Sequence, residues 1–173
     1  MTRIFAARIF TRTVLFVTIV LTWALVAAAV AHSAPRDVVS FSGFAPGTIV
    51  VKTNERRLYF VLDQYRALRF PVGVGRAGKA WTGYARVEGK YVRPAWQAPQ
   101  ELGGGPVIPG GAPNNPMGEA ALTLRGGEYA IHGTNRPQSI GGFVSNGCIR
   151  MHNRDIRELY ALVPVGTPVI VQQ

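Results

Sequence analysis

Short runs of β-branched and aromatic residues, separated by polar or glycine-rich turns, make up most of the chain after residue 34. Thr48 to Val51 and Leu58 to Leu62 flank the polar stretch Thr53-Asn54-Glu55-Arg56 and predict a hairpin. Ala67 to Val74 predicts a third strand. Ala121 to Leu124 and Glu128 to His132, joined by Arg125-Gly126-Gly127, predict another hairpin, with Ala130 and His132 on one face and Tyr129 and Ile131 on the other. One helix is expected: Asn153 suits the N-cap, Asp155 the first turn, and Ile156, Leu159, Tyr160 and Val163 form an apolar stripe that Pro164 and Gly166 end. Thr167 to Val171 adds a last strand. Between Pro94 and Ala121 stand six Gly and six Pro in 28 residues, a density that excludes helix and most strand. A loop of that length in a compact domain is usually functional, such as a lid or a substrate-binding wall.

The first 33 residues follow another pattern. Arg3, Arg8 and Arg12 precede an uncharged, Val-, Leu-, Ile- and Ala-rich run from Thr13 to Pro35 that ends in small residues, the layout of an export signal. Cleavage after Ala31 or Ser33 is the preferred reading; the run is also long enough to remain as an anchor. Residues 34–173 then form one exported domain in the periplasm or cell envelope. The whole chain carries a formal charge of +10, with 16 basic and 9 acidic side chains beyond residue 33. Outside the cytoplasm that excess points to wall or membrane polyanions rather than nucleic acid, with membrane contact if the leader stays uncut. One cysteine excludes an intrachain disulfide and a Cys-rich metal centre, and the three histidines are far apart, so neither metal nor cofactor is expected.

Two segments carry candidate chemistry. Gly73-Val74-Gly75-Arg76-Ala77-Gly78-Lys79 satisfies a dinucleotide fingerprint and most of a P-loop, but Ala80 stands where a magnesium-binding hydroxyl is needed and no helix follows to receive a phosphate. It reads as a glycine-rich turn between strands. The second segment runs from His132-Gly133-Thr134 to Ser145-Asn146-Gly147-Cys148-Ile149-Arg150. A free thiol is mostly protonated at neutral pH, so a nucleophilic Cys148 needs a base or a nearby cation. His132 and Arg150 supply one of each. His32 falls in the leader and His152 beside the helix cap. Trp81 and Trp96 read as packing residues in preference to sugar-stacking platforms.

Those two motifs resemble the YkuD-type L,D-transpeptidase catalytic domains, which remodel bacterial peptidoglycan, and the similarity extends upstream through Asn115-Pro116-Met117-Gly118 to the hairpin from Ile49. The resemblance implies a mostly β fold, a two-sheet sandwich with one late helix after the catalytic loop. It implies Cys148 as nucleophile toward the bond between an L-centre and D-alanine in a tetrapeptide stem, and His132 as base, oriented by the carbonyl of Gly133. Ser145, Asn146, Gly147 and Arg150 would line the oxyanion and substrate site, with N–H groups around Asn146, Gly147 and Cys148 holding the oxyanion. Arg150 either contacts a substrate carboxylate or biases the thiolate. The acceptor would be an amine of a second stem or of an envelope protein.

Many family members carry histidine where this chain has Asn146, which hydrogen-bonds but does not titrate. The alternatives are an L,D-carboxypeptidase, another exported cysteine acyltransferase, or a non-catalytic wall-binding module in which Cys148 is an inert small hydrophobe.

Overall fold

The computed structural model describes residues 37–173 apart from 126–128. The export leader and the Gly126-Gly127 turn lie outside the described residues. Within them the chain forms β1 (Val38–Ser40), β2 (Ile49–Lys52), β3 (Arg57–Val61), β4 (Arg66–Pro71), β5 (Val74–Gly75), β6 (Gly83–Val92), β7 (Ala120–Leu124), β8 (Ala130–His132), β9 (Phe143–Ser145), β10 (Ile149–Arg150), a helix α1 (Asn153–Leu162) and β11 (Pro168–Gln172). None of the described helices is long and apolar enough to cross a membrane.

The main sheet runs β1-β4-β3-β2-β11-β6-β7-β8-β10, and β5 and β9 form a separate parallel pair. The long strand β6 divides the main sheet into two layers. Its residues 83–86 pair with β11, and after a register shift between Val87 and Gly89 it pairs with β7. A bulge bends a strand and lets it serve two sheets, so β6 is the shared corner of the sandwich. Ile49, Val51 and Leu58 from one layer and Leu122, Ile131 and Ile149 from the other are at most 2% exposed and join one core. Ile156 and Leu159 seal it from α1, which packs on β7 and β8. The mostly β two-sheet architecture with one late helix is therefore present.

Three local features differ from the sequence pattern. The strand expected over Ala67 to Val74 ends at Pro71, which has no N–H for the ladder. Beyond it Gly73 exchanges backbone bonds with Arg150 at 2.9 and 2.8 Å, and Val74 joins β9, so the chain crosses from the first layer to the second. Asn153 is the first helical residue and not the cap; the cap position is His152, without a side-chain bond. Strand β6 is missing from the expected elements: from Ala85 to Tyr91 small or apolar residues alternate with charged ones, but alanine and glycine leave the apolar side thin. Its buried residue is Val87, and glycine and charged residues surround it.

The Gly/Pro-rich stretch is an ordered loop. Buried Asn115 ties it together: Nδ2 donates to the carbonyls of Pro94 and Pro109 at 2.9 Å and of Ile108 at 3.3 Å, and Oδ1 accepts from Met117 N–H at 2.9 Å. The loop then enters β7 beside the turn that follows His132, where Gly133 N–H donates to Ala120 O at 3.0 Å.

Candidate active site

Strand alternation brings the chemical groups together. In the parallel pairing of β8 and β10, Ile149 lies beside Ile131 and Arg150 beside His132. Both isoleucines point into the core. Cys148, Arg150, Ala130 and His132 therefore share the opposite face. Cys148 and His132 are diagonal neighbours, roughly 8 Å apart at the backbone from strand rise and spacing, which is within side-chain reach.

The cysteine loop is closed on itself. Ser145, 2% exposed, donates its hydroxyl to Cys148 O at 2.6 Å and accepts Gly147 N–H at 3.1 Å. Of the three N–H groups expected around an oxyanion, that of Gly147 is thus turned inward. Among the described residues nothing accepts from the N–H of Cys148. Gly147 has φ +126°, and a Cβ there would collide with the Tyr129 ring, so the position requires glycine. Tyr129 stacks on Trp81 with centroids 5.2 Å apart, and the indole N–H of Trp81 donates to Gly147 O at 3.0 Å.

His132 is buried, and its Nδ1 lies 2.6 Å from Gly133 O. A carbonyl only accepts, so Nδ1 carries the proton and Nε2 presents its lone pair. The turn after His132 is anchored by Asn153: Oδ1 accepts from Thr134 N–H at 3.0 Å and Glu119 N–H at 3.2 Å, and Nδ2 donates to Thr134 O at 3.1 Å. A Cβ on Gly133 would strike that same Oδ1. The asparagine expected to cap the helix instead holds the turn that follows His132.

Burial dominates the electrostatics. It holds His132 down to about 4, with Arg150 assisting and the carbonyls of Gly133 and Pro116 opposing. It pushes the Cys148 thiol up, against the backbone N–H of Ala130 and the Arg150 guanidinium. At neutral pH the pair rests as thiol and imidazole, so Arg150 offsets the desolvation of Cys148 only in part. Burial also lowers Arg150, and the neighbouring Arg136 guanidinium adds to that. Among the described residues, Arg150 Nε and Asn146 Oδ1 are both buried without a hydrogen-bond partner.

The seven residues expected at the site thus fall in one corner: Cys148, His132 and Arg150 on a shared face, Gly133 on the imidazole, and Ser145, Asn146 and Gly147 in the cysteine loop. Trp81, Tyr129 and Asn153 complete the corner. Their partners are remote in sequence, 66 residues in the case of Trp81, so no local pattern marks them.

Residues 46–171 match the family model described as YkuD, L,D-transpeptidase catalytic domain. The chain belongs to this family. It is 42% identical over 135 residues to the Escherichia coli protein named Probable L,D-transpeptidase YbiS, covering 70% of this chain and 43% of that protein. It is 40% identical over 135 residues to Probable L,D-transpeptidase ErfK/SrfK of the same species, covering 70% and 42%. The chain spans less than half the length of these curated relatives. The crystal structure of L,D-transpeptidase 3 from Mycobacterium tuberculosis superposes with a TM-score of 0.60 at 18% identity, over 73% of this chain and 60% of that one. The NMR structure of the catalytic domain of the E. faecium L,D-transpeptidase gives 0.59 at 19% identity, over 76% and 100%. These structures share the fold.

Proposed function

We propose that the protein is an exported, cysteine-dependent peptidoglycan L,D-transpeptidase that takes a tetrapeptide stem as acyl donor. Cys148 Sγ attacks the carbonyl joining an L-centre to the terminal D-alanine. As the C–S bond forms, His132 Nε2 takes the thiol proton and delivers it to the D-alanine nitrogen as the C–N bond breaks. The Cys148 N–H faces the developing oxyanion. D-alanine leaves and a thioester remains. The side-chain amine of a second stem then attacks the thioester carbon, passing a proton through His132 to the departing sulfur, and a 3→3 crosslink results. In this reading residues 1–33 direct export, by a cleaved signal or an uncut anchor, and residues 34–173 are the catalytic domain. Asn146 and Arg150 supply an acceptor and a donor to the stem.

The observation that carries the proposal is the single face shared by Cys148 and His132, with the imidazole tautomer set by Gly133 O at 2.6 Å, in a chain of this family. Mass spectrometry of the purified protein with tetrapeptide muropeptides tests it. Release of D-alanine and a thioester adduct are expected for the wild type and not for Cys148→Ala. A crosslinked dimer identifies a stem amine as acceptor, and a tripeptide identifies water. Neither turnover nor adduct from folded, reduced protein would overturn the assignment.

A further inference from the structure

The cysteine loop holds its consecutive peptide units by different means. The N–H of Gly147 and the carbonyl of Cys148 are both bound by the Ser145 hydroxyl, at 3.1 and 2.6 Å. The unit between them joins Gly147 to Cys148. Among the described residues it has one hydrogen bond, from Trp81 Nε1 to Gly147 O at 3.0 Å. This is also the softest unit in the loop, because glycine leaves rotation about its bonds almost free of steric limits. The glycine is not optional, since the Tyr129 ring fills the space of a side chain at that position.

A trans peptide is planar, and its C=O and N–H point in opposite directions. Fixing Gly147 O toward the indole therefore aims the N–H of Cys148 the other way, where no described residue accepts it. We infer that Trp81 is a positioning residue for acyl transfer: by holding the carbonyl of Gly147 it aims the Cys148 N–H at the oxyanion. Tyr129 seats the indole by stacking at 5.2 Å and 9°. The inference rests on the reading of Cys148 as an acylated nucleophile.

Trp81 also packs against the core, so the test must separate aim from packing. Trp81→Phe keeps a ring on Tyr129 and removes the N–H. Two reactions of Cys148 are compared in the full chain, purified in mild detergent and read by intact mass. Acylation by p-nitrophenyl acetate passes through a tetrahedral oxyanion. Alkylation by iodoacetamide displaces iodide and builds none. An oxyanion donor is worth about 10²–10³ in rate, and losing its aim forfeits part of that, so acylation is expected to fall about tenfold or more while alkylation stays within about twofold. With muropeptides kcat falls and KM holds, because the contact acts only as charge develops.

Unchanged acylation overturns the inference. So does an equal fall in acylation and alkylation, which would make the indole packing alone. Where wild type fails to turn over muropeptides, the transpeptidase reading fails while the ester reaction still decides the role of Trp81. Should Trp81→Phe not fold, Tyr129→Leu unseats the indole without removing its N–H and is expected to give the same split.

Discussion

Two glycine-containing loops meet beside the candidate site, and they use their backbone donors differently. In the first, Gly73 to Lys79, the N–H groups of Gly73, Val74, Arg76 and Lys79 donate to the carbonyls of Arg150, Gly142, Ser145 and Arg76. In the second, Ser145 to Cys148, the Gly147 N–H is satisfied and that of Cys148 has no described acceptor. The first has the lettering of a nucleotide site. In the first, the N–H groups of Gly75, Ala77 and Gly78 also lack a described acceptor; in the second, the unspent N–H belongs to the residue that carries the thiol. Backbone groups are hydrogen-bonded as a rule, so the chemistry beside an unspent N–H says more about ligand binding than the number of glycines around it.

That contrast can be broken at several points. The largest effect is expected from His132→Gln, which leaves the donor in place and removes the proposed base: acyl transfer should fall by on the order of 10²–10⁴, measured as D-alanine release. Retained activity would show that the free donor does not work with this imidazole.

Next come paired glycine changes. Gly147→Ala collides with Tyr129 at φ +126° and should cost roughly 1–3 kcal/mol of stability, with acyl transfer lost in the molecules that still fold. In the other loop, a Cβ at Gly75 would lie 2.6 Å from Lys79 O, so Gly75→Ala should be destabilising by about 1–3 kcal/mol as overpacking, with kcat per folded molecule retained. Chemical denaturation with active-site titration separates the two. Equal loss of kcat in both variants would erase the distinction between the loops.

A comparable effect is expected in acid. The unfolded chain protonates His132 near 6.5, whereas burial holds the folded imidazole down to about 4. The unfolded state thus binds more protons between these values. The contribution of His132 is complete above pH 6.5 and is lost as pH falls toward 4, by roughly 3 kcal/mol. Denaturation midpoints measured across that range should flatten in His132→Gln. The smallest expectation is a null one: millimolar ATP or inorganic phosphate should leave the melting temperature unchanged, because no helix follows the first loop to receive a phosphate and four of its seven N–H groups already donate to carbonyls. A dose-dependent rise would mean that this loop opens to bind phosphate.

Much of the candidate site is legible in the sequence because its residues fall in one 19-residue stretch, from His132 to Arg150, on elements whose periodicity reveals which side chains share a face. The hairpin of β2 and β3 and the stripe of α1 are legible for the same reason: one face is apolar. What escapes the sequence is tertiary. Asn153 has the composition of a cap, yet three backbone partners from the turn after His132 and from Glu119 claim its side chain. Trp81 has no neighbour in sequence that hints at Gly147. Strand β6 hides because the inward side of its alternation is largely alanine and glycine, which leaves Val87 as its buried residue.

The position of β11 has a consequence for the timing of synthesis. This strand, the latest in sequence, lies between β2, which it pairs in parallel, and β6, which it pairs antiparallel. A chain made from its N-terminus therefore carries Cys148 and His132 well before residues 168–172 exist to join the two halves of the sheet. Until then the strands flanking β11 lack their shared partner, and the thiol sits in an unfinished sandwich. The sheet around Cys148 is therefore completed by residues made after the thiol itself.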